Sequence, residues 1–567
     1  MEQELRSVLA SVYGDYAEGM IKELDRALAE HIKAKRSIPH STIYWYKFIE
    51  LYCVYPDGVM YDPELLPLQN LKKHLAQIKA LGCSAVHILP FLASPMVDNG
   101  FDISDFYAIR PELGTFEHLS AIIEEAKRLD LQLFMDVVFN HVSDQHPWFQ
   151  KAQAGDPRYQ EYFIRTEQEP KFIRKFYRNS AIWAEYQVDG ASILINIAFP
   201  EHAGPIPHWR RGNDGYWYYH TYYPEQLDLN WLNPNVFVEL AQVLIYWAAL
   251  GFNFRLDAIP FIGKSAYKAT DSSNETTNAI IAALKLVVKS VNPECAFLIE
   301  SYELIDTVIG YFGHQNQLQA NLSYNFHLCT SLWVCLINQD VAHLWATLEA
   351  VSKIPPHAEW LNFLRNHDEL SLAYLPDDLL RRIRTKLDPY GADFREGCGI
   401  AGRTLSFLQE NPERFLMAYF LLASLPGGIV IPYGDEIGVT NIPAAELPQE
   451  KQKDTRNINR GLITGQQYIY QEQRDLFKQF ALIIGHRKML RDYLNNWPKK
   501  LDAAAREIFA ASYSNAHGQL SIYINLSAET KTLSIEPGWQ QIAAINQSSK
   551  TDTELSLGAY AGVWLIT

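Results

Sequence analysis

The chain has 567 residues, 48% of them hydrophobic and 20% charged, the balance of a globular protein with a large core. Its formal charge of −15, from 50 Lys and Arg against 65 Asp and Glu, excludes general binding to nucleic acid or to anionic membranes, both of which need a basic surface. Six scattered cysteines (Cys53, Cys83, Cys295, Cys329, Cys335, Cys398) show no CxxC spacing, so neither a zinc site nor a disulfide framework is indicated and a reducing compartment fits.

The start, MEQELRSVLASVYGDY, lacks a basic segment followed by an apolar run, and no apolar stretch of about 18 residues occurs anywhere. A cytoplasmic protein is expected. Residues 1–42 read as a helical extension, with Ile21, Leu24, Leu28 and Ile32 on one face and Pro39 and Ser41 as punctuation. A strand-like stretch then opens at Ile43-Tyr44-Trp45-Tyr46-Lys47-Phe48. Further short apolar strands are expected at 85–90, 131–139, 252–258, 296–300, 360–364 and 428–433, each preceded by a helix-like segment.

Such alternation predicts an α/β protein, a (β/α)8 TIM barrel built from 43–141 and 229–491. Residues 142–228, rich in Tyr, Trp, His and Pro, are expected to form a loop-rich inserted domain after the third strand. From 492 to 567 short alternating runs such as Gln519-Leu520-Ser521-Ile522-Tyr523-Ile524 predict a C-terminal β-sandwich.

Chemistry in such barrels gathers at the C-terminal ends of the strands, where the candidate polar residues fall. Arg255 and Asp257 alternate onto one side of a buried strand. A fixed guanidinium keeps a neighbouring carboxylate ionised, so Asp257 is either a nucleophile or half of a structural Arg–Asp pair. Glu300 ends the next expected strand, with apolar Phe297, Leu298 and Ile299 before it to help it keep a proton as a general acid. Two carboxylates on neighbouring strands are the arrangement of retaining glycoside chemistry. His367 and Asp368 in FLRNHDE, with Asp136 and His141 in DVVFNH, offer donor and acceptor pairs for vicinal sugar hydroxyls. The 13% aromatic content suits stacking on sugar rings and equally suits a large core.

Four stretches in order, DVVFNH (136–141), GFNFRLDA (251–258), FLIESYE (297–303) and FLRNHDE (363–369), resemble the α-amylase family of retaining glycoside hydrolases and transglycosylases. The resemblance runs from about Tyr44 to Thr567. It implies Asp257 as nucleophile, Glu300 as acid/base and Asp368 as the carboxylate gripping the sugar's 2- and 3-hydroxyls. Arg255 would orient Asp257, and His141 and His367 would hold the ring.

The stretch 94–105 is similar to the α-glucosidase loop that closes over a terminal glucose, with Asp98 on the outermost hydroxyls and Phe101, where Tyr is usual, stacking on the ring. QLDLN (226–230) and SDQHPWF (143–149) resemble the oligo-1,6-glucosidase, amylosucrase and trehalose synthase branches. Arg460, or Arg456, would line the acceptor side. The position of Asn140 binds structural calcium in many amylases. No partners for such an ion are identifiable, however, and 55–62 offers too few spaced oxygens, so no metal or other cofactor is expected.

The expected activity is cleavage of α-glucosidic bonds at the non-reducing end of disaccharides or short oligosaccharides. The alternatives are a transglycosylase, isomerase or phosphorylase acting on sucrose, maltose or trehalose, or a non-catalytic barrel kept as a binding module. The sequence leaves oligomeric state open.

Overall fold

The computed structural model describes residues 2–32, 44–178, 181–188, 191–264, 274–314, 317–373, 375–472, 475–503 and 505–567. Eight parallel strands close into a barrel: β1 (Glu50–Val54), β2 (Ala85–Ile88), β3 (Gln132–Val137), β4 (Phe252–Leu256), β5 (Phe297–Ile299), β6 (Leu322–Tyr324), β7 (Glu359–Asn362) and β8 (Gly428–Pro432). Each pairs with the next, and β1 closes the ring on β8 through Glu50 opposite Ile429. The helix before β4, Pro234–Ala249, shows how sequence sets these units. Asn233 caps it by accepting from the Asn235 amide, Pro234 fits its first turn, and its run of apolar residues is almost wholly buried. Gly251, at φ 99°, then turns the chain into the strand. Among those side chains, Trp247 is fully buried and its indole donates to the Phe106 carbonyl at 2.9 Å. Each large apolar side chain buried in this way contributes about 1.5–3 kcal/mol.

Two strands differ from expectation. The first is Glu50–Val54, because residues 44–48 form a turn beneath the barrel. There the Trp45 indole donates to the Glu294 carbonyl at 2.8 Å and the Tyr46 hydroxyl to the His357 carbonyl at 2.6 Å, so the aromatic run plugs the floor rather than pairing in the sheet. The other, Leu322–Tyr324, has only three residues and is flanked by Asn321 and Asn325, too short and polar to register as an apolar run.

Residues 142–228 are more ordered than a loop-rich reading implies. Strands His141–Ser143 and Gln226–Asp228 pair at the neck, and beyond them lie two three-stranded sheets and two short helices. One sheet is Lys171–Arg178, Ala181–Val188 and Ala191–Asn196.

At the N-terminus, helices α1 (Glu2–Tyr13) and α2 (Ala17–Ile32) pack on the barrel helices Asn274–Lys289 and Pro234–Ala249. Ile21, Leu24 and Leu28 are buried there, and the Tyr13 hydroxyl donates to the Trp231 carbonyl at 2.9 Å. The punctuation read at Pro39 and Ser41 lies outside the described residues. At the C-terminus a five-stranded and a three-stranded sheet share a core of Ile508, Leu555, Leu557, Val563 and Leu565. Strand alternation turns Trp564 the other way, to stack on Phe420 at 4.2 Å and tie these sheets to the barrel. All six cysteines are buried and free. No helix among the described residues is long and apolar enough to cross a membrane.

Candidate active site

Parallel register builds the centre of the site. Arg255 on β4 stands opposite Asp136 on β3, so their side chains project to the same side. The Arg255 guanidinium then reaches three carboxylates at once: Asp136 Oδ1 at 2.8 Å, Asp257 Oδ1 at 2.6 Å and Glu300 Oε1 at 2.7 Å. Asp257 follows β4 and Glu300 follows β5, two hydrogen-bonded neighbours, so the expected pair meets on one cation. Ala258, immediately after Asp257, holds φ 52°, a left-handed conformation costly for a residue with a Cβ, which turns the chain sharply out of the strand.

Burial raises both carboxyls, and the Arg255 charge opposes it in each. Glu300 ends well above the ordinary carboxylate range, raised further by the charges of Asp257 and Asp368, while Asp257 lies at about 6. Of the two, Glu300 is pushed further toward keeping a proton, which suits Asp257 to be the anion.

Asp368 behaves in the opposite sense. Burial would raise it, but His367, Arg456, Arg460 and Arg255 together bring it well below the usual range. His367 is itself driven by burial to about 3 and is neutral at pH 7, so near neutrality the arginines hold Asp368 ionised. Arg460 donates to Asp368 Oδ1 at 3.0 Å and Arg456 at 3.3 Å, with His367 Nε2 3.1 Å from Oδ2.

These groups open into a cavity of about 670 Å³, within the usual range of ligand sites. Asp98, Phe101, His141, Asp257, Glu300 and Asp368 all line it. Asp102 shapes the loop bearing Asp98 and Phe101, its carboxylate accepting from the Val97 and Asp98 amides at 2.9 and 3.2 Å. Gly100 is required there: φ is 98° and a Cβ would stand 2.9 Å from Pro90. The Phe101 ring stacks on His367 at 5.4 Å and lies 5.4 Å from the Arg255 guanidinium, so it braces the site as well as lining it.

The α-amylase catalytic-domain family model matches residues 67–387, more than half of the chain. The chain belongs to the α-amylase family. It is accordingly an enzyme of that family. Trehalose synthase of Thermus thermophilus is 30% identical over 382 residues, 66% of this chain and 36% of that protein. The trehalose synthase/amylase TreS of Mycobacterium tuberculosis is 28% identical over 382 residues, covering 66% of this chain and 59% of its own length. The matches thus span less than two thirds of either relative. The solved structure of XgtA, described as an α-glucosyl transfer enzyme, superposes with a TM-score of 0.71 at 19% identity, covering 93% of this chain and all of that one. At that identity the likeness is one of fold.

Within this α-amylase-family barrel several residues differ from expectation. Arg456, not Arg460, lines the cavity. It bridges Asp98 and Asp454, each at 2.8 Å, and lies between the rings of Phe199 and Phe394 at 4.7 and 4.6 Å. Arg460 donates to the His367 carbonyl at 2.8 Å and directly to Asp368, and so reaches the site through that carboxylate. Both were legible in DTRNINRG; which one faces the cavity was not. His141 lines the cavity, but its Nε2 donates to the Phe101 carbonyl at 3.1 Å and Nδ1 lies 3.2 Å from the Asn140 amide. It positions the Phe101 loop, and a sugar would have to compete for its proton. His367 and Arg255 reach the lining through its carboxylates, His367 at Asp368 and Arg255 at Asp257 and Glu300.

Tyr222, which lines the cavity, carried no signal in the sequence, and Gln226, which opens the QLDLN stretch with no role assigned to it there, donates to Asp98 Oδ2 at 3.1 Å. Beneath the site His87 Nε2 lies 3.0 Å from Asp136 Oδ2, steadying the anion opposite Arg255.

The position of Asn140 is filled by the chain itself. The Lys264 ammonium reaches Asn140 Oδ1 at 2.5 Å, Asp228 Oδ2 at 2.6 Å and the Phe261 carbonyl at 2.8 Å. A lysine cation thus ties the neck of the insertion to the turn after Asp257, where a divalent ion would need the same oxygens. No cluster of three or more His, Cys, Asp or Glu suited to a metal occurs among the described residues.

Proposed function

We propose that the enzyme cleaves α-glucosidic bonds at the non-reducing end of neutral disaccharides or short oligosaccharides, with retention, through a covalent glucosyl-enzyme. The observation that carries this reading is the single buried guanidinium of Arg255 holding Asp257 at 2.6 Å and Glu300 at 2.7 Å. Neighbouring parallel strands run about 4.8 Å apart. Carboxyl groups on their ends suit the ~5–5.5 Å spacing of double displacement rather than the ~6.5–9.5 Å that an inverting pair needs.

In the first step Glu300 gives its proton to the leaving oxygen while an Asp257 oxygen bonds to the anomeric carbon and the glycosidic bond breaks. In the second, a hydroxyl loses its proton to Glu300, its oxygen attacks the same carbon, and Asp257 leaves as a carboxylate. Asp368, held ionised, accepts from ring hydroxyls, and Asp98, fixed by Arg456 and Gln226, marks the closed end that limits the pocket to a terminal ring. In this reading residues 43–141 and 229–491 form the catalytic unit, 142–228 supply the cavity rim, and the helices Glu2–Tyr13 and Ala17–Ile32 and the C-terminal sheets brace the barrel.

The lining favours a neutral substrate. Six carboxyl groups (Asp98, Asp257, Glu300, Glu303, Asp368, Glu369) and only two guanidinium groups (Arg395, Arg456) occur among the described lining residues. A phosphorylated sugar fits this lining less well than a neutral one, and the assay with phosphate below separates phosphorolysis from the other readings. Transfer of the glucosyl group to a sugar instead of water is the second reading, favoured by the two trehalose synthase relatives. Incubation with maltose, trehalose and sucrose, with and without phosphate, tests these readings. Retained α-glucose or a new disaccharide without phosphate dependence is expected; a glucose 1-phosphate product, or no consumption of any α-glucoside, would overturn the proposal.

A further inference from the structure

Inside the barrel a chain of buried polar side chains leads up to Arg255 from strands that take no part in the proposed chemistry. Parallel register places Cys53 on β1 beside His87 on β2, and Asp136 on β3 beside Arg255 on β4. Burial would raise the Asp136 carboxyl, but His87 and Arg255 reverse that and hold it below its ordinary value, so it is an anion that only accepts. His87, itself fully buried, therefore presents a protonated Nε2 to Asp136 Oδ2, at 3.0 Å. Its Nδ1 is left to accept, facing the Tyr324 hydroxyl at 3.5 Å and Cys53 Sγ at 3.6 Å. Burial pushes both of those groups up, so each keeps a proton to offer. The other oxygen of Asp136, Oδ1, takes Arg255 at 2.8 Å. Each oxygen of this buried carboxylate thus has its own donor.

We propose that His87 is a positioning residue: by occupying Oδ2 of Asp136 it keeps the Arg255 guanidinium turned to Asp257 and Glu300, and so sets the pH window of the reaction. The inference rests on the covalent route proposed above, in which Asp257 must be an anion. Arg255 is shared three ways, and one of its nitrogens serves Asp136 and Asp257 together, at 2.8 and 2.6 Å. Its Nε has no hydrogen-bond partner among the described residues, so the guanidinium has a further donor to give. With the His87 donor lost, Oδ2 would turn to that guanidinium, and a two-point grip by Asp136 would draw it from the catalytic pair. Asp257 would keep its burial and its repulsion from Asp136 while losing part of the positive charge that opposes them. Arg255, still beside Asp136, holds that carboxylate ionised, so the repulsion persists.

The remaining groups that face this chain do not change charge near neutrality. Cys53 on β1, Tyr324 on β6 and Tyr433 after β8 are raised by burial and stay uncharged. His367, after β7, is neutral, and Asp368 next to it stays ionised. Arg255 on β4, raised by its three carboxylates against the cost of burial, stays a cation. The acid limb of the pH profile therefore reads the contest between Asp136 on β3 and Asp257 after β4 for one guanidinium, with Glu300 after β5 as its third claimant.

The test measures kcat/KM of the whole chain across pH on one α-glucosyl disaccharide, followed as total consumption so that hydrolysis and transfer count alike. His87→Leu keeps bulk and loses the donor. Its acid limb is expected to move from about pH 6 to higher pH by roughly one unit. KM at the optimum should stay within about twofold, because a side chain this deeply buried meets no substrate. His87→Asn, polar but too short to reach Oδ2, should shift in the same way. His87→Gln, whose amide nitrogen can stand where Nε2 stands, should return the limb to the parent position. A merely structural histidine would lower thermal stability in these variants and leave the limb where it is. A folded His87→Leu or His87→Asn whose acid limb is unmoved or moves to lower pH overturns the proposal, as does a His87→Gln shifted as far as they are. Failure of both His87→Leu and His87→Asn to fold makes the histidine structural and overturns it too. A parent that consumes no α-glucoside overturns the covalent route instead.

Discussion

Asp257 and Glu300 stand one residue beyond adjacent strands, and their meeting follows from parallel register and one buried arginine. Trp183, Phe199 and Arg395 reach the same cavity from excursions after β3 and β7 that no register fixes. The two carboxyls of the floor are thus held by one buried guanidinium on paired strands, whereas the rim residues come from segments outside the barrel sheet. On the proposed mechanism, bond breaking falls to the strand-end carboxylates, and the residues carried by the excursions line the space around them.

The comparison breaks most visibly at the floor. Asp257→Asn is expected to lower turnover by roughly 10⁴-fold or more, with circular dichroism and thermal unfolding preserved. Near-normal rates would remove the nucleophile from the scheme. Glu300→Gln should cost about 10²–10⁴-fold on a disaccharide and far less on a glucosyl fluoride, whose leaving group needs no proton. The pH profile gives the same division of labour with opposite signs. The rate falls below about pH 6 as Asp257 takes up a proton, and falls at high pH as Glu300 loses the one it must donate. Glu300→Gln should flatten the alkaline limb alone.

Where floor joins rim, Lys264→Met leaves buried Asp228 without its cation and should destabilise the fold by about 3–5 kcal/mol, read by urea unfolding. The parent enzyme should be indifferent to chelator in the same assay. Arg456→Lys keeps the charge but loses the fork that spans Asp98, Asp454 and Asp368, and should raise KM about tenfold. Arg460→Lys, acting through Asp368, should change KM by less than about threefold. Unequal effects in the reverse order would restore Arg460 to the cavity.

Legibility in the sequence followed the same division. Period-two alternation placed Arg255 beside Asp257, and apolar runs located six of the eight barrel strands near their true positions, because buried parallel strands leave that mark. β6 escaped through its brevity, and β1 because aromatic residues below the barrel imitate a strand. The insertion's sheets left little trace: the strand Lys171–Arg178 is exposed along much of both faces and shows no clean alternation. The orientation of Arg456 against Arg460, the ring nitrogen of His141 bound to Phe101, and Lys264 beside Asn140 all depend on contacts between distant segments, which local pattern does not carry.

Trapping tests the central claim most directly. A fluoroglucosyl fluoride whose ring fluorine slows release should leave the protein one fluoroglucosyl unit heavier by intact mass, and digestion should place that unit on the peptide bearing Asp257. A protein that consumes α-glucosides yet never carries the label, or carries it on a peptide without Asp257, contradicts the covalent route through this carboxylate.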